Sequence, residues 1–377
     1  MIETKPPQAL SLFDLIGREW ALDSPVRQIG FNANGTTVAC TLETGGIRLL
    51  PMADGEHPEK RIRIEFETGR STIRPREQPL GEPMRLDETA RADGPGFCQL
   101  GEPGFAVVND SGGLLRVTAR GQVVRLKLPE PGPVTALCSL PGEDAVYLAQ
   151  GGLLTIHCAK TGTVRARADL GQPVSMLALS HDGSRLAARL ADGIAVLDAG
   201  TLARQVEFPC AGTVACLSWS PDGAWIAAGC REARLIVASV ARGEADVIEG
   251  FPGAVNAAEF SAAANTLIAS GAFRAVGWRG PDLPFGDHKG DHVQTGKPGF
   301  TLVEQVAVNP EKDSCAVGYA NGLVTLCQIA RTDELMLVEG RGAPVTAMTW
   351  SPDGKHLALG FVDGRAAILT FPKIMFK

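Results

Sequence analysis

The chain has 377 residues, and 36 Lys and Arg side chains against 42 Asp and Glu give a formal net charge of −6. General nucleic-acid binders draw most of their affinity from a basic excess, so this balance excludes that class of partner. No stretch approaches the roughly 18 consecutive apolar residues of a membrane-spanning helix, and the first residues lack the basic start and apolar core of a secretory signal. We therefore expect a cytoplasmic protein with no membrane partner.

The cysteines and the turn-forming residues indicate the redox compartment and the kind of fold. Nine cysteines are scattered without a Cys-x-x-Cys pair, and most lie in apolar runs, as Cys40 and Cys327 do. Such positions are typical of small buried side chains, and they favour a reducing compartment over disulfide bonds. The 44 glycines and 25 prolines favour a fold with many tight turns.

The predicted elements repeat along the chain. In the segment that begins at Val345, apolar residues stand at the first, fourth and sixth positions, which are Val345, Met348 and Trp350. The same register, with a slightly slipped copy at 134, recurs in segments that begin at Val26, Val134, Val174, Val214, Val255, Val303 and Val345. From residue 134 onward the copies start 40, 40, 41, 48 and 42 residues apart. This period is typical of a β-propeller blade.

Each copy continues with a turn, a short strand of small residues and a hairpin. The turn reads Asn-Ala-Asn-Gly at 32–35, Ser-His-Asp-Gly at 180–183, and Ser-Pro-Asp-Gly at 220–223 and 351–354. Proline fixes φ in such a turn, serine can bond the turn backbone and glycine accepts a positive φ. A strand of small residues follows, as at 226–229, and an Asp-Gly or Asn-Gly hairpin opens a third strand. No segment carries a sustained 3.6-residue apolar period, so we expect almost no helix.

These features together resemble the WD40 repeat family. The resemblance is carried by the Ser-Pro-Asp-Gly turn, the Leu-Ala-x-Gly strand at 357–360 and the Asp-Gly hairpin at 362–364, and it covers nearly the whole chain. It implies an all-β fold, a single closed β-propeller of four-stranded antiparallel blades. Two family features are missing, because no Trp-Asp pair ends a third strand, where Leu197-Asp198 is the nearest match, and no Gly-His pair precedes a first strand. We therefore expect blade rigidity to depend on apolar packing.

The number of blades follows from the spacing of the copies. Seven copies are evident, and the 108 residues between positions 26 and 134 leave room for an eighth, predicted over 97–128. We expect eight blades, with seven as the alternative, in one propeller over residues 1–377. The last copy ends near residue 370 without an outer strand, and an unpaired strand edge invites aggregation. Residues 14–22 are therefore predicted to supply that strand and close the ring.

Residues 51–93 are predicted to be a charged insertion, or an irregular outer strand, within the first blade. The stretch 60–76 carries six Lys or Arg against two Glu. Two interpretations stay open. The stretch is either an arm that binds an anionic ligand or a protein, or an exposed loop whose basic side chains pair with its own glutamates and with those of 77–93.

A possible metal site lies in the one lengthened interval between copies. Asp287, His288, Asp291 and His292 repeat an Asp-His pair at a spacing of four. On a helix these side chains would share one face and could bind zinc or nickel, but the flanking glycines argue against a helix and no third ligand lies close by in sequence. The alternative function is therefore a metal- or small-ligand-binding propeller that uses the 287–292 loop or the central channel.

Nothing in the sequence predicts catalysis. Ser180, His181 and Asp182 are the residue types of a catalytic triad, but adjacent residues in a turn point apart, and this segment is a variant of the Ser-Pro-Asp-Gly turn. No G-x-S-x-G, P-loop or G-x-G-x-x-G motif occurs. We expect no enzymatic activity and no cofactor.

The best candidates for a binding surface lie beside the hairpins between second and third strands. Loops on a rigid scaffold commonly bind partners, and large aromatic and arginine side chains are enriched at interaction hot spots. The candidates are Arg189, Arg231, Phe273, Arg274, Tyr319 and Phe361. The alternative is that the aromatic side chains turn inward and fill the channel. By the family resemblance, we expect a non-catalytic interaction scaffold whose partner is a protein or peptide.

Overall fold

Strands dominate the computed structural model, which describes residues 10–376 except 66, 68, 69 and 129. The first elements are α1 (Leu12–Ile16), β1 (Gly17–Ala21), β2 (Val26–Phe31), β3 (Thr37–Leu42), β4 (Gly46–Pro51), the 3-10 helix η1 (Pro58–Arg61), β5 (Ile62–Ile64), β6 (Ser71–Ile73) and β7 (Met84–Thr89). Next come β8 (Phe97–Leu100), β9 (Gly104–Val108), β10 (Leu114–Thr118), β11 (Val123–Leu126), β12 (Ala136–Cys138), β13 (Ala145–Gln150), β14 (Leu153–Cys158), β15 (Val164–Asp169), β16 (Met176–Leu179), β17 (Arg185–Arg189), β18 (Gly193–Asp198) and β19 (Arg204–Pro209).

The same alternation of short strands and turns continues to the end of the described chain. These elements are β20 (Val214–Trp219), β21 (Trp225–Cys230), β22 (Arg234–Ser239), β23 (Glu244–Ile248), β24 (Ala258–Ser261), β25 (Thr266–Ala269), β26 (Ala275–Arg279), β27 (Asp291–Thr295), β28 (Val303–Val308), β29 (Ser314–Tyr319), β30 (Val324–Gln328), β31 (Glu334–Val338), β32 (Val345–Trp350), β33 (His356–Phe361), β34 (Arg365–Thr370) and the 3-10 helix η2 (Lys373–Phe376). None of the helices that the structure describes is long and apolar enough to cross a membrane.

The strands form eight four-stranded antiparallel sheets, which are the eight blades of a propeller. Blade 1 is β2-β3-β4-β7, and blades 2 to 7 take the following strands four at a time, from β8-β9-β10-β11 to β28-β29-β30-β31. Blade 8 is β32-β33-β34 with β1 as its outer strand. The all-β fold and the count of eight rather than seven are confirmed.

The ring closes where the two ends of the described chain meet in blade 8. Strand β1 pairs antiparallel with β34, from Gly17↔Leu369 to Ala21↔Arg365. Closure by an N-terminal strand is therefore confirmed, although the strand is shorter than predicted. Residues 12–16 form the helix α1 instead, because Ser11 and Asp14 make a reciprocal capping box that starts a helical turn.

The serine and aspartate of the repeated turn stabilise it by side-chain hydrogen bonds. The Ser220 hydroxyl donates to Asp222 at 2.6 Å and accepts from the Trp225 N–H at 2.9 Å. The Gly223 N–H closes the turn on the Ser220 carbonyl at 2.9 Å, and Gly223 has a φ of +66°, a conformation that favours glycine. The same Ser-to-Asp bond of 2.6 Å recurs at 180–182 and 351–353, so Ser180 and Asp182 belong to a turn.

Neighbouring blades are joined by apolar packing and by side chains of the first strands. Trp219 and Trp350 occupy the sixth position of the register, and each indole N–H donates at 2.9 Å to a first-strand carbonyl of the preceding blade, Ala178 and Ala307 respectively. These bonds satisfy backbone groups at the edge of each blade that would otherwise lack a partner. They link blade to blade in a chain that lacks the family's Trp-Asp pairs.

The insertion of blade 1 lies across the seam where β1 closes the ring. The Arg61 guanidinium, 3% exposed, donates to the Leu15 carbonyl at 2.6 Å, and the Trp20 indole of β1 donates to the Gly81 carbonyl at 2.8 Å. Arg76 pairs with Asp54 at 2.6 Å and Arg74 pairs with Glu56 at 2.7 Å. These pairings favour a neutralised segment over a free anion-binding arm, and its residues 66, 68 and 69 lie outside the described residues. Arg74 also pairs with Glu77 at 2.6 Å, as predicted for 77–93, and Asp54 and Glu56 are partners that were not predicted.

Candidate interaction surface

One face of the ring carries the hairpins between second and third strands together with the connections between blades. We call it the hairpin face. The two sets of loops are bonded to each other around the junction of blades 6 and 7, where the Gly271 N–H donates to the Val303 carbonyl at 2.9 Å and the Gly299 N–H donates to the Phe273 carbonyl at 3.0 Å. These bonds hold the loops of this face in fixed positions on the strands.

Three of the six predicted binding residues are buried, so the expectation that they present exposed side chains is wrong. Tyr319 is 4% exposed, Phe361 is wholly buried and Arg189 is 5% exposed. Burial raises the pKa of Tyr319 to about 12. The Arg365 guanidinium lies 4.2 Å from the centre of the Phe361 ring. Tyr319 and Phe361 do turn inward, but they pack in apolar clusters between neighbouring blades and not, as the predicted alternative had it, in the channel.

The buried Arg189 joins two loops of the hairpin face. Its guanidinium donates to the Leu190 carbonyl, to the Gly193 carbonyl at 3.0 Å and to the Gly212 carbonyl at 2.9 Å. The first two carbonyls lie in its own hairpin, and the third lies in the connection between blades 4 and 5. A buried guanidinium with three carbonyl acceptors stabilises local backbone, and it is not available to a partner.

The other three predicted residues do lie on the surface of the hairpin face. Arg231 is exposed in the hairpin of blade 5, and Phe273 and Arg274 belong to the hairpin of blade 6. Phe273 exposes 43% of its surface. Arg274 is half-buried and donates at 2.5 Å to the side chain of Gln294, which lies on the outer strand of the same blade. The structure therefore places these three residues on two neighbouring blades.

A fourth residue, Phe300, lies beside them and was not predicted from the sequence. Its side chain is fully exposed, the most exposed of the large apolar residues that the structure describes. The preceding residue, Gly299, bonds the Phe273 backbone, so the two phenylalanines are carried by loops that touch. The sequence did contain a signal for Phe300, because this aromatic residue stands between Pro298-Gly299 and a strand, outside the apolar register of the repeat. We call Arg231, Phe273, Arg274 and Phe300 the aromatic patch.

The central channel opens into a cavity at each end. At the hairpin face a cavity of about 670 Å³ is lined by the beginnings of first strands in several blades, including Gln28 and Met176. Arg27 at this end donates to the Arg91 carbonyl at 2.8 Å and to the Gly94 carbonyl, which fixes the connection between blades 1 and 2. At the opposite end a second cavity, of about 420 Å³, is lined by the ends of first strands in blades 4 to 7.

The 287–292 segment does not bring its four potential ligands together. Asp291 lies 3.8 Å from Arg279, the His292 ring packs edge-on against Trp278 at 6.1 Å, and His288 accepts a hydrogen bond from the Gly290 N–H at 3.0 Å. Asp287 lies in the preceding loop. In the part of the chain that the structure describes, no group of three or more His, Cys, Asp or Glu side chains could hold a metal ion.

Comparison with known proteins identifies two stretches of the chain that match a family model. The WD40 family model (WD domain, G-beta repeat) matches residues 204–237 and 333–368. Each match starts in the outer strand of one blade and ends in the third strand of the next, so the sequence repeat is offset from the blade by one strand. No curated protein matches the chain significantly.

A solved structure of similar architecture is the crystal structure of the computationally designed Ika8 protein. It has a TM-score of 0.64 at 16% sequence identity, over 93% of this chain and 98% of that chain. At this identity the likeness concerns the fold alone. The protein is thus an eight-bladed β-propeller. Two of its repeats, over residues 204–237 and 333–368, match the WD40 family model.

Proposed function

We propose that this propeller is a non-catalytic scaffold that binds a protein or peptide through the aromatic patch on its hairpin face. The observation that carries the proposal is the pair of exposed phenylalanines, Phe273 and Phe300, on two loops that are bonded to each other. Exposed aromatic side chains on a rigid support are typical of interaction hot spots, since their burial by a partner yields much binding energy at little cost in conformational entropy.

The arginines give the patch a chemical preference. Arg231 lies in the hairpin of blade 5 and Arg274 follows Phe273 in the hairpin of blade 6, and arginine pairs with carboxylates and stacks on aromatic rings. A partner segment with an acidic residue next to an apolar or aromatic one would use both features of the patch. The net charge of −6 favours such a protein partner over nucleic acid. The nine unpaired thiols support a reducing compartment such as the cytoplasm.

The test compares two double variants in affinity capture of the native partner. Phe273→Ala with Phe300→Ala should weaken capture tenfold or more, which corresponds to about 1.4 kcal/mol. The matched control is Val124→Ala with Met336→Ala, which removes two side chains that are 56% and 51% exposed on outer strands of blades 2 and 7. Both double variants should keep the thermal stability of the native protein, because neither removes a buried group. Equal capture by the two variants would contradict the proposal.

A further inference from the structure

The end of the channel opposite the hairpin face contains a cavity of a different character. It measures about 420 Å³ and lies between the ends of β16, β20, β24 and β28. Its walls are mainly apolar and include Leu217, Trp219 and Phe260. Among the described residues that line it, Glu259 is the one acidic side chain. Small-ligand sites in proteins have volumes of about 300–1,000 Å³ and combine apolar walls with a few polar groups, as this cavity does.

The Glu259 carboxylate is held in place but not neutralised. Its Oε2 accepts a hydrogen bond from the Val308 N–H at 2.7 Å, on the first strand of the next blade. Burial raises the pKa of Glu259 to about 7, the Val308 N–H opposes that shift, and no cation among the described residues contributes. A half-buried carboxyl group without a cationic partner is unfavourable when ionised, so a ligand that brings a positive charge would relieve that cost.

A second polar side chain lies at the edge of the same cavity. Ser218 also lines the cavity, and its buried hydroxyl oxygen has no hydrogen-bond partner among the described residues. Buried polar groups are nearly always bonded, so an unpaired hydroxyl marks a position where a ligand or water would be accepted. The hydroxyl and the carboxylate belong to adjacent first strands, β20 and β24.

We propose that this cavity binds a small organic cation that consists of a primary ammonium head and an apolar stem. The ammonium is a compact charge with three donors, which suits the carboxylate oxygen of Glu259 that does not bond Val308. A guanidinium suits the site less well, because its planar fork prefers both oxygens of a carboxylate and Oε2 is already bonded to Val308. The stem would lie against Leu217 and Phe260. Such a head group occurs on free alkylamines and on lysine side chains.

The first test measures binding of n-butylammonium to the intact protein at pH 8 by calorimetry and NMR. n-Butylguanidinium and the neutral n-pentanol serve as comparison ligands. Binding of the ammonium should be at least tenfold tighter than that of the alcohol, and Glu259→Gln should weaken it at least tenfold. The Gln carbonyl can still accept from the Val308 N–H, so the variant should fold. The matched control is Glu304→Gln, since Glu304 also lies on a first strand, bonds Asn256 at 2.8 Å and does not line this cavity.

The second test measures binding to the wild-type protein at different pH values, so it does not depend on the folding of a variant. With a carboxyl pKa of about 7, roughly a tenth of Glu259 is ionised at pH 6 and nine-tenths at pH 8, so affinity should rise about tenfold between them. The other titratable groups nearby are His181, which also lines the cavity, and the buried thiols of Cys216 and Cys315, whose pKa values burial keeps high. His181→Asn should leave the pH dependence unchanged.

A third ligand, Nα-acetyl-lysine amide with a free side-chain ammonium, distinguishes the two possible sources of the cation. Binding as tight as that of n-butylammonium supports a lysine side chain of a protein, and binding of the free amine alone supports a small metabolite. Absence of n-butylammonium binding at pH 8, equal binding of n-pentanol, or unchanged binding by Glu259→Gln would overturn the proposal. The cavity and the aromatic patch lie on opposite faces of the ring, so failure of one test leaves the other unaffected.

Discussion

Removal of the closing strand should destabilise the whole ring. Deleting residues 1–23 takes away β1, whose five residues pair with β34, and leaves an unpaired edge. The deletion also removes two buried apolar side chains, Ile16 at 1% exposure and Trp20 at 7%, together with the buried Arg18. Truncation in a core costs about 2–5 kcal/mol for isoleucine and about 3–5 kcal/mol for tryptophan, so the loss of the two apolar side chains amounts to about 5–10 kcal/mol. This is comparable with the roughly 5–15 kcal/mol that stabilises a typical protein.

The assay is thermal unfolding together with size-exclusion chromatography, for the intact and the shortened chain. We expect the shortened chain to unfold at a much lower temperature and to aggregate. A synthetic peptide of residues 10–23, added during refolding, should restore the native unfolding temperature, while the same peptide with Trp20→Ala should fail. A shortened chain that unfolds at the temperature of the intact protein, without added peptide, would refute closure by β1.

Three further predictions concern single groups. Burial lowers the pKa of His356 to about 4, so the unfolded state takes up a proton at a higher pH than the folded state does. The free energy of unfolding should therefore fall as the pH drops from about 6.5 to 4, and His356→Gln should flatten that part of the pH profile. Ser351→Ala removes bonds to Asp353 and to the His356 N–H, and denaturant unfolding should show a loss of about 1–3 kcal/mol. Titration of unfolded protein without reductant should recover nine free thiols, and fewer would contradict a reduced chain.

The repeat could be predicted from the sequence because the residues that form the strands and turns of a blade lie close together within one copy. The sixth-position apolar residue, the serine of the turn and the glycine that needs a positive φ all act within one copy, so their spacing predicts a blade. The seam was also predictable, since a last copy without an outer strand needs one from elsewhere. The docking of the insertion across that seam depends on contacts between distant segments, such as Arg61 with the Leu15 carbonyl, which no local pattern encodes.

The binding residues were harder to predict because a buried and an exposed side chain can lie only a few positions apart at the end of a strand. Arg189, Tyr319 and Phe361 are the last residues of second strands, so their side chains still pack between blades. The second strand of blade 6 is shorter and ends at Ala269, which leaves Phe273 in the loop beyond it. The point at which a second strand ends therefore decides between core and surface, and hydrophobicity alone does not reveal that point.

Photo-crosslinking from within the aromatic patch would show whether the patch contacts the partner. A photoreactive phenylalanine analogue is placed at position 300 in one protein and at position 336, on the outer strand of blade 7, in another. Both positions are exposed, so both proteins should fold normally. We expect a specific crosslinked partner from position 300 that is lost with Phe273→Ala and is absent from position 336. Crosslinking to the same partner from position 336 but not from position 300 would contradict that expectation.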